Sequence, residues 1–289
     1  MFSTKHSELL RIIYKGTHTM TEDIEHIKKQ EKDFHERFRK GGPLPLVEVE
    51  KVRKDLLSPC WESGVDIYSD NKMAFHEFIK HRCHWIDKYV LDYGCGDALF
   101  ATYYALTGAR KVAGFDIAET GIHRASERLK KQDLCDKVKL FVMDASNLNF
   151  PDNEFELVIG HGVLHHVIKY PNIFEELYRV MKPGSKAFFY EGLADFPLWR
   201  LHWKLQGEVP QGDVPIFAKE IRSKAEMFTD VEILGDTFLS SFKHFIWKRK
   251  MGSLRCATLK ILKKIDDLMF SIYPPLRHWG GFCYICFTK

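Results

Sequence analysis

The stretch Tyr89-Val-Leu-Asp-Tyr-Gly-Cys-Gly-Asp-Ala98 decides the fold of this chain of 289 residues. Apolar residues lead to Asp92, a Gly94-x-Gly96 turn follows, and a helical pattern begins at Leu99. This order predicts a buried parallel strand that ends in a glycine-rich loop and opens a helix. Glycines have no Cβ, so the backbone N–H groups of such a loop can approach a ligand closely. Open α/β sheets bind their ligands at this end of the strands.

The residues around the loop indicate which ligand fits. A dinucleotide-binding loop needs a third glycine, and Leu99 stands at that position. The carboxylate of Asp92, directly before the loop, would repel a pyrophosphate and suits a ligand with a positive charge. S-adenosylmethionine carries an ammonium and a sulfonium, so it fits better. A nicotinamide-dependent oxidoreductase is disfavoured for the same reasons.

Four more strands are predicted downstream, with helical patterns between them. The predicted strands cover residues 110–116, 137–145, 155–161 and 187–192, and the helical patterns cover 118–131 and 170–181. Two of these strands lead to an acid, Asp116 and Asp144, as the first strand leads to Asp92. Acids at strand ends are ordinary turn residues when they stand alone. Three of them beside a glycine loop are expected to converge on one crevice.

Six motifs in this order resemble those of class I S-adenosylmethionine-dependent methyltransferases. The likeness is nearest to the small-molecule branch with the ubiquinone/menaquinone methyltransferase-like proteins, the type 11 domain, and covers about residues 85–192. The resemblance implies an α/β fold with a Rossmann-like, doubly wound, mostly parallel sheet of seven strands and helices on both faces. The motifs are Leu91-Asp-Tyr-Gly-Cys-Gly-Asp97, Gly114-Phe-Asp-Ile117, Met143-Asp-Ala145, Asn153-Glu-Phe-Glu-Leu-Val158, Leu164-His-His-Val167 and Val180-Met-Lys-Pro-Gly184.

The same resemblance implies which residues bind S-adenosylmethionine and its product S-adenosylhomocysteine. Asp116 would accept hydrogen bonds from the ribose hydroxyls, and Ile117 would pack on the adenine. Asp144 would accept from the adenine amino group, with the N–H of Ala145 facing a ring nitrogen.

Four further residues are assigned to the amino-acid part of the cofactor by the resemblance, together with Asp92 near the ammonium. Gly94 and Gly96 would border the methionine part. Gly160 and His161 would close the carboxypropyl side.

Catalysis needs a base only when the acceptor must lose a proton. The candidates follow the fourth and fifth predicted strands: His161, His165, His166 and Glu191. A packing role competes for His165, and holding the adjacent loop by backbone hydrogen bonds competes for Glu191. No metal is expected, because Cys283 and Cys286 stand three apart on a predicted strand and point to opposite faces.

Composition limits the partners. The net charge of +4, from 43 basic and 39 acidic residues, is too small to indicate a nucleic-acid partner. No Asn/Asp-Pro-Pro-Tyr-like run, typical of nucleic-acid methyltransferases, follows the fourth strand. The seven scattered cysteines favour reduced thiols and a cytoplasmic setting. The sequence does not indicate an oligomeric state.

The expected organisation is an N-terminal helical cap (1–84), a cofactor-binding core (85–192) and an acceptor-side region (193–289) that completes the sheet. The last region includes predicted strands over 227–234 and 281–288. Between them lies a helical lid insertion, whose segment 253–272 has an apolar stripe and a basic side. A lid packed on the core and a helix lying on a membrane both fit this pattern, although Asp266 and Asp267 interrupt the basic side.

Three functions remain open from the sequence. The first is methyl transfer to oxygen, nitrogen or carbon of a small organic acceptor. The second is a membrane-associated methyltransferase of a lipid or quinone. The third is a non-catalytic binding protein on the same fold.

Overall fold

The computed structural model describes residues 20–39, 41–52, 72–196, 216–242 and 252–289. A single sheet with the order β3-β2-β1-β4-β5-β7-β6 runs through this part of the chain. Its strands are β1 (Tyr89–Tyr93), β2 (Lys111–Asp116), β3 (Val138–Val142), β4 (Phe155–His161), β5 (Met181–Gly192), β6 (Asp230–Thr237) and β7 (Phe282–Thr288).

Helices connect these strands. They are α1 (Met20–Phe38), α2 (Lys72–Cys83), α3 (Leu99–Leu106), α4 (Glu119–Lys131), α5 (Leu164–Val167), α6 (Ile173–Val180), α7 (Ala218–Lys224) and α8 (Gly252–Ile272). Short 3₁₀ helices, Leu239–Phe242 and Pro274–Trp279, flank the ends of β6 and α8. Residues 49–52 form one further helical turn.

The strand pairing confirms the predicted fold. Strands β1 to β5 are parallel neighbours, and β7 is antiparallel to both β5 and β6. The order reverses at β1, which lies between β2 and β4. Such a switch point opens a crevice at the carboxyl ends of the strands. The glycine loop that follows β1 lies at this crevice.

The hydrophobic core has two layers, one on each face of the sheet. Side chains of α3, with Phe75 and Ile79 of α2, pack on one face. Side chains of α6, with Ile221 of α7, pack on the other. Neighbouring residues of β4 alternate between the layers, since Leu157 belongs to the first and Val158 to the second. This alternation is what a strand covered by helices on both faces requires.

Several boundaries differ from the sequence expectation. Strand β5 begins at Met181 rather than 187, and the Pro183-Gly184 pair lies inside the strand beside a register shift. Strand β6 begins at Asp230, three residues later than expected. Helix α6 begins at Ile173, and the short α5 precedes it. Within the predicted cap and acceptor-side region, residues 1–19, 40, 53–71, 197–215 and 243–251 lie outside the described residues.

The last strand fits its prediction closely. On β7, Cys283 packs in one core layer and Cys286 in the other, so the two thiols lie on opposite faces. The helical insertion forms α8, between β6 and β7. Among the described helices, none is both long and apolar enough to cross a bilayer.

Candidate active site

A cleft with an empty volume of about 630 Å³ opens at the carboxyl ends of β1, β2 and β4. Six of the residues expected at the cofactor site line it: Gly94, Asp116, Ile117, Asp144, Ala145 and His161. The rest of its lining comes from α1 and the residue after it, from the ends of β2 and β3, and from the segment around α5: Glu31, His35, Arg39, Phe115, Met143, Gly162, Val163, His166, Val167 and Tyr170. Three expected residues, Asp92, Gly96 and Gly160, lie outside this lining.

The loop after β1 adopts a conformation that favours glycine. Gly94 and Gly96 have φ angles of 68° and 56°, and Ala98 takes a left-handed φ of 52° as it caps α3. A Cβ on Gly94 would lie 2.4 Å from Cγ2 of Val163. Residue 94 therefore has to be glycine for the loop to pack against the segment that follows β4.

Asp116, at the end of β2, accepts three hydrogen bonds at the cleft. Its Oδ2 accepts from the N–H of Gly96 at 2.9 Å, and its Oδ1 accepts from the N–H of Ala118 at 2.9 Å. Nη1 of Arg39 donates to Oδ1 at 2.7 Å. A carboxylate has about four acceptor positions. Three of them are already used here.

Asp144, two residues after β3, holds the opposite wall. Its Oδ1 accepts from the N–H and the hydroxyl of Ser146 at 2.8 and 2.9 Å, and Nζ of Lys28 lies 2.6 Å from Oδ2. Burial alone would raise the pKa of Asp144, but the hydrogen bonds from Lys28 and Ser146 outweigh it and lower that pKa. Asp144 is thus held as a carboxylate.

Asp92 stands behind the loop instead of in the cleft wall. It is 2% exposed, and its Oδ2 accepts from the N–H of Ala101, in the first turn of α3, at 2.9 Å. Burial raises the pKa of Asp92 to about 7, and the nearby charge of Asp116 adds to the rise. A cation brought close to Asp92 would oppose this shift.

Helix α1, part of the region where the sequence predicts a helical cap, lies across the cleft, although none of its residues was assigned to the site. Lys28, Glu31, His35 and Arg39 recur at the three- and four-residue spacing of one helix face, and all four contact the cleft. The carboxylate of Glu36 accepts the N–H groups of Glu119 and Thr120 and so holds α1 against the start of α4. The spacing is a signal in the sequence, but a charged helix face is usually solvated.

Burial shifts the charge states beneath α1. Burial raises the pKa of Glu31, although Lys169 and the hydroxyl of Tyr170 both donate to its carboxylate. Burial puts the pKa of His166 well below its ordinary value, and burial also lowers the pKa of His35. The rings of His35 and His166 meet edge-on, 5.0 Å apart. Neutral imidazoles therefore face this side of the cleft.

Glu191 and His165 form a hydrogen-bonded pair beside the cleft. Glu191, 1% exposed, accepts the N–H groups of Val163 and Leu164 on Oε1, both at 2.7 Å. Its Oε2 lies 2.8 Å from Nδ1 of His165. An ionised carboxylate only accepts hydrogen bonds, so Nδ1 carries the proton and Nε2 is the basic nitrogen. Glu191 thus positions the start of α5 and the His165 ring.

His161, at the end of β4, packs its ring among aromatic side chains. The ring stacks on Phe100 with centroids 4.0 Å apart and meets Phe75 edge-on at 5.0 Å. Nε2 of His161 lies 3.3 Å from the hydroxyl of Tyr104, which also contacts Nδ1 of the buried His76 at 3.2 Å. Of His161 and His165, it is therefore His165 that has the geometry of an oriented base.

Comparison with known proteins shows what the chain is similar to. A family model described as a methyltransferase domain matches residues 91–189. Demethylmenaquinone methyltransferase of Listeria welshimeri is 29% identical over 196 residues, which cover 66% of this chain and 74% of that protein. The matched residues are therefore similar to methyltransferases of small molecules, in agreement with the sequence motifs.

Solved structures agree on the fold of this chain. The geranyl diphosphate C-methyltransferase of Streptomyces coelicolor A3(2) has a TM-score of 0.57 at 12% identity, over 91% of this chain and 96% of that chain. The cyclase SpnF has a TM-score of 0.53 at 18% identity, over 86% and 99%. At these identities the comparison extends to the fold alone.

The residues of the cleft fit the cofactor of this methyltransferase family. A loop without side chains at Gly94 lies beside the cleft, and carboxylates stand at the ends of β2 and β3 as hydrogen-bond acceptors. Ile117 supplies an apolar surface between these carboxylates. Hydroxyl and amino donors on a flat apolar ring system match this arrangement.

Proposed function

We propose that this protein transfers a methyl group from S-adenosylmethionine to oxygen, nitrogen or carbon of a small organic acceptor. The observation that carries the proposal is the convergence of Asp116, Asp144 and the left-handed glycine loop on one cleft. In this proposal Asp116 binds the ribose and Asp144 the adenine amino group. Ile117 and Ala145 contact the adenine.

The remaining cofactor residues surround the methionine part. Gly94 and Gly96 allow its close approach, and Gly160 and His161 border its carboxypropyl side. Asp92 lies behind the loop, and we assign it to the ammonium. A Cβ on Gly160 would lie 2.5 Å from the ring of Phe189, so only glycine fits there.

The cofactor, when bound, supplies an electrophilic methyl group on its sulfonium. The protein's part is to hold the acceptor in line with that group and to exclude water. For an acceptor that loses a proton, Nε2 of His165 takes it, because Glu191 fixes the proton of the ring on Nδ1. Glu191 is then a positioning residue, since its carboxylate accepts from the segment at the start of α5 and from His165.

A screen with methyl-labelled S-adenosylmethionine tests the proposal. Small hydroxyl, amine, activated-carbon and quinol acceptors are each incubated with the full chain, and Asp116→Asn serves as the binding-deficient control. Label on one acceptor class with the wild type alone would support methyl transfer. Cofactor binding without transfer to any class would favour the non-catalytic binding protein.

A lipid or quinone acceptor is the second candidate. The specific observation in its favour is a row of exposed apolar side chains on α8. This helix follows the carboxyl end of β6, and the cleft opens at the same end of the sheet. Phospholipid-solubilised quinols belong in the screen for this reason. Transfer to water-soluble acceptors alone would exclude this second candidate.

A further inference from the structure

Helix α8 has one face in the protein and one in solvent. Asp266 is fully buried and Phe270 is 1% exposed, and these two residues mark the inner face. On the opposite face Ile261, Ile265, Leu268 and Ile272 recur at intervals of four, three and four residues, with exposed fractions of 58%, 38%, 59% and 74%. At 1.5 Å per residue this outer row is about 16 Å long.

Two exposed aromatic side chains follow α8 along the chain. Tyr273 directly follows α8 and is 59% exposed, and Trp279, at the end of the next 3₁₀ helix, is 54% exposed. Tyrosine and tryptophan are enriched where an apolar medium meets water. Exposed apolar side chains scattered singly need no explanation, but a continuous row indicates an interaction surface.

The charge of this region selects the partner. From Gly252 to Ile265, along α8, the chain carries four Lys and Arg residues and no Asp or Glu. They are Arg255, Lys260, Lys263 and Lys264. Two copies of such a segment would repel each other, whereas an anionic lipid surface attracts it.

The structure turns inward one of the two acids that interrupted the basic side in the sequence. The carboxylate of Asp266 accepts the N–H groups of Phe238, Leu239 and Ser240 at 2.7 to 3.0 Å. Asp267 stays exposed and pairs with Lys263, on the flank of the helix. Lys264 is exposed beside the outer row.

We infer that the outer face of α8, with Tyr273 and Trp279, docks this protein on an anionic membrane surface. The helix lies flat, with its apolar row at the boundary between headgroups and acyl chains and its lysines among the headgroups. The inference rests on the proposed function for its purpose, which is access to a lipophilic acceptor. The docking itself depends only on α8 and its basic flank.

Co-flotation of the full chain with vesicles tests the inference. We expect the wild type to bind vesicles of phosphatidylcholine and phosphatidylserine in a 3:1 ratio (about 25% anionic lipid), and pure phosphatidylcholine much less. Leu268→Ser/Ile272→Ser should reduce the partition coefficient at least about tenfold, and Lys264→Glu severalfold. The control Ile86→Ser changes a side chain that is 53% exposed outside this face, and it should bind as the wild type does.

Two results would overturn the inference. One is a wild type that does not float with the anionic vesicles, and the other is a double variant that floats as well as the control. Light scattering can give a third contradicting result. If the wild type forms a dimer and does not bind vesicles, and the double variant is a monomer, the apolar row of α8 binds a second copy of the chain. Cofactor titration of the same proteins separates the two proposals, because docking without cofactor binding would refute the proposed function alone.

Discussion

Asp116→Asn is the sharpest single change in the candidate site. The substitution keeps the shape of the side chain and one acceptor oxygen, but it removes the negative charge and puts an amide N–H₂ near Arg39. In the wild type that carboxylate already accepts from Gly96, Ala118 and Arg39. The two ribose hydroxyls need two acceptor positions on the Asp116 carboxylate, and only one is left. The Arg39 side chain therefore has to be displaced from Asp116 when the cofactor binds.

The expected loss follows from this exchange. Hydrogen bonds to a charged group contribute about 1.5–3 kcal/mol each, so two hydroxyls would gain roughly 3–6 kcal/mol. Release of the Arg39 ion pair costs about 1 kcal/mol or more of that gain. A net contribution of about 3 kcal/mol corresponds to roughly a hundredfold weaker binding in the variant.

Titration calorimetry with S-adenosylmethionine measures this loss directly. Asp136→Asn is the matched control, since Asp136 is exposed in the turn before β3. Thermal unfolding of both variants shows whether the fold is intact, because Arg39 also loses its partner. An Asp116→Asn protein that is folded and binds within about threefold of wild-type affinity would refute the ribose assignment.

Three further predictions concern neighbouring groups. Asp92→Asn should raise the free energy of unfolding on the order of 3 kcal/mol at pH 8 and little at pH 4. The pKa of Asp92 is about 7 in the folded protein and near 4 in the unfolded chain, so ionisation of Asp92 destabilises the fold as pH rises through that window. An equal increase in the free energy of unfolding at both pH values, measured by urea denaturation, would contradict this. Arg39→Met should tighten cofactor binding about fivefold in calorimetry, since nothing then competes for Asp116, and weaker binding would show that Arg39 holds the cofactor instead. His165→Gln should lower kcat roughly a hundredfold with a hydroxyl acceptor and leave cofactor affinity unchanged. The control His123→Gln, at an exposed position, should leave both kcat and cofactor affinity unchanged. Full activity of His165→Gln would remove the base from the account.

The sheet was predictable because its signals are local. Each buried parallel strand is a short apolar run, and the runs before Asp116 and Asp144 are followed by acids that a parallel sheet brings to one edge. The glycine loop has its own signature, since Gly94 and Gly96 need left-handed backbone. The strand β4 was predicted with its observed bounds for the same reason.

A helical cap was expected in the N-terminal region, but its contacts with the cleft were not predictable, because they join residues that are distant along the chain. Arg39 and Asp116 are 77 residues apart, and Glu31 and Tyr170 are 139 apart. Locally, the face of α1 that carries Lys28, Glu31 and Arg39 looks like a solvated helix face. Its burial depends on acids and donors that only the folded sheet brings within reach.

The orientation of α8 was open for a related reason. The sequence shows both apolar and charged residues around this helix, and two acids appeared to interrupt the basic side. The structure turns Asp266 inward because the backbone N–H groups after β6 need an acceptor. Only this tertiary demand shows which face of the helix meets solvent.

The central claim is that the cleft at the switch point binds S-adenosylmethionine. Titration calorimetry of the purified chain with S-adenosylmethionine and, separately, with NADH tests it most directly. The account predicts micromolar binding of S-adenosylmethionine and no binding of NADH. Binding of NADH, or of neither compound, would contradict the cofactor assignment on which the proposed reaction depends.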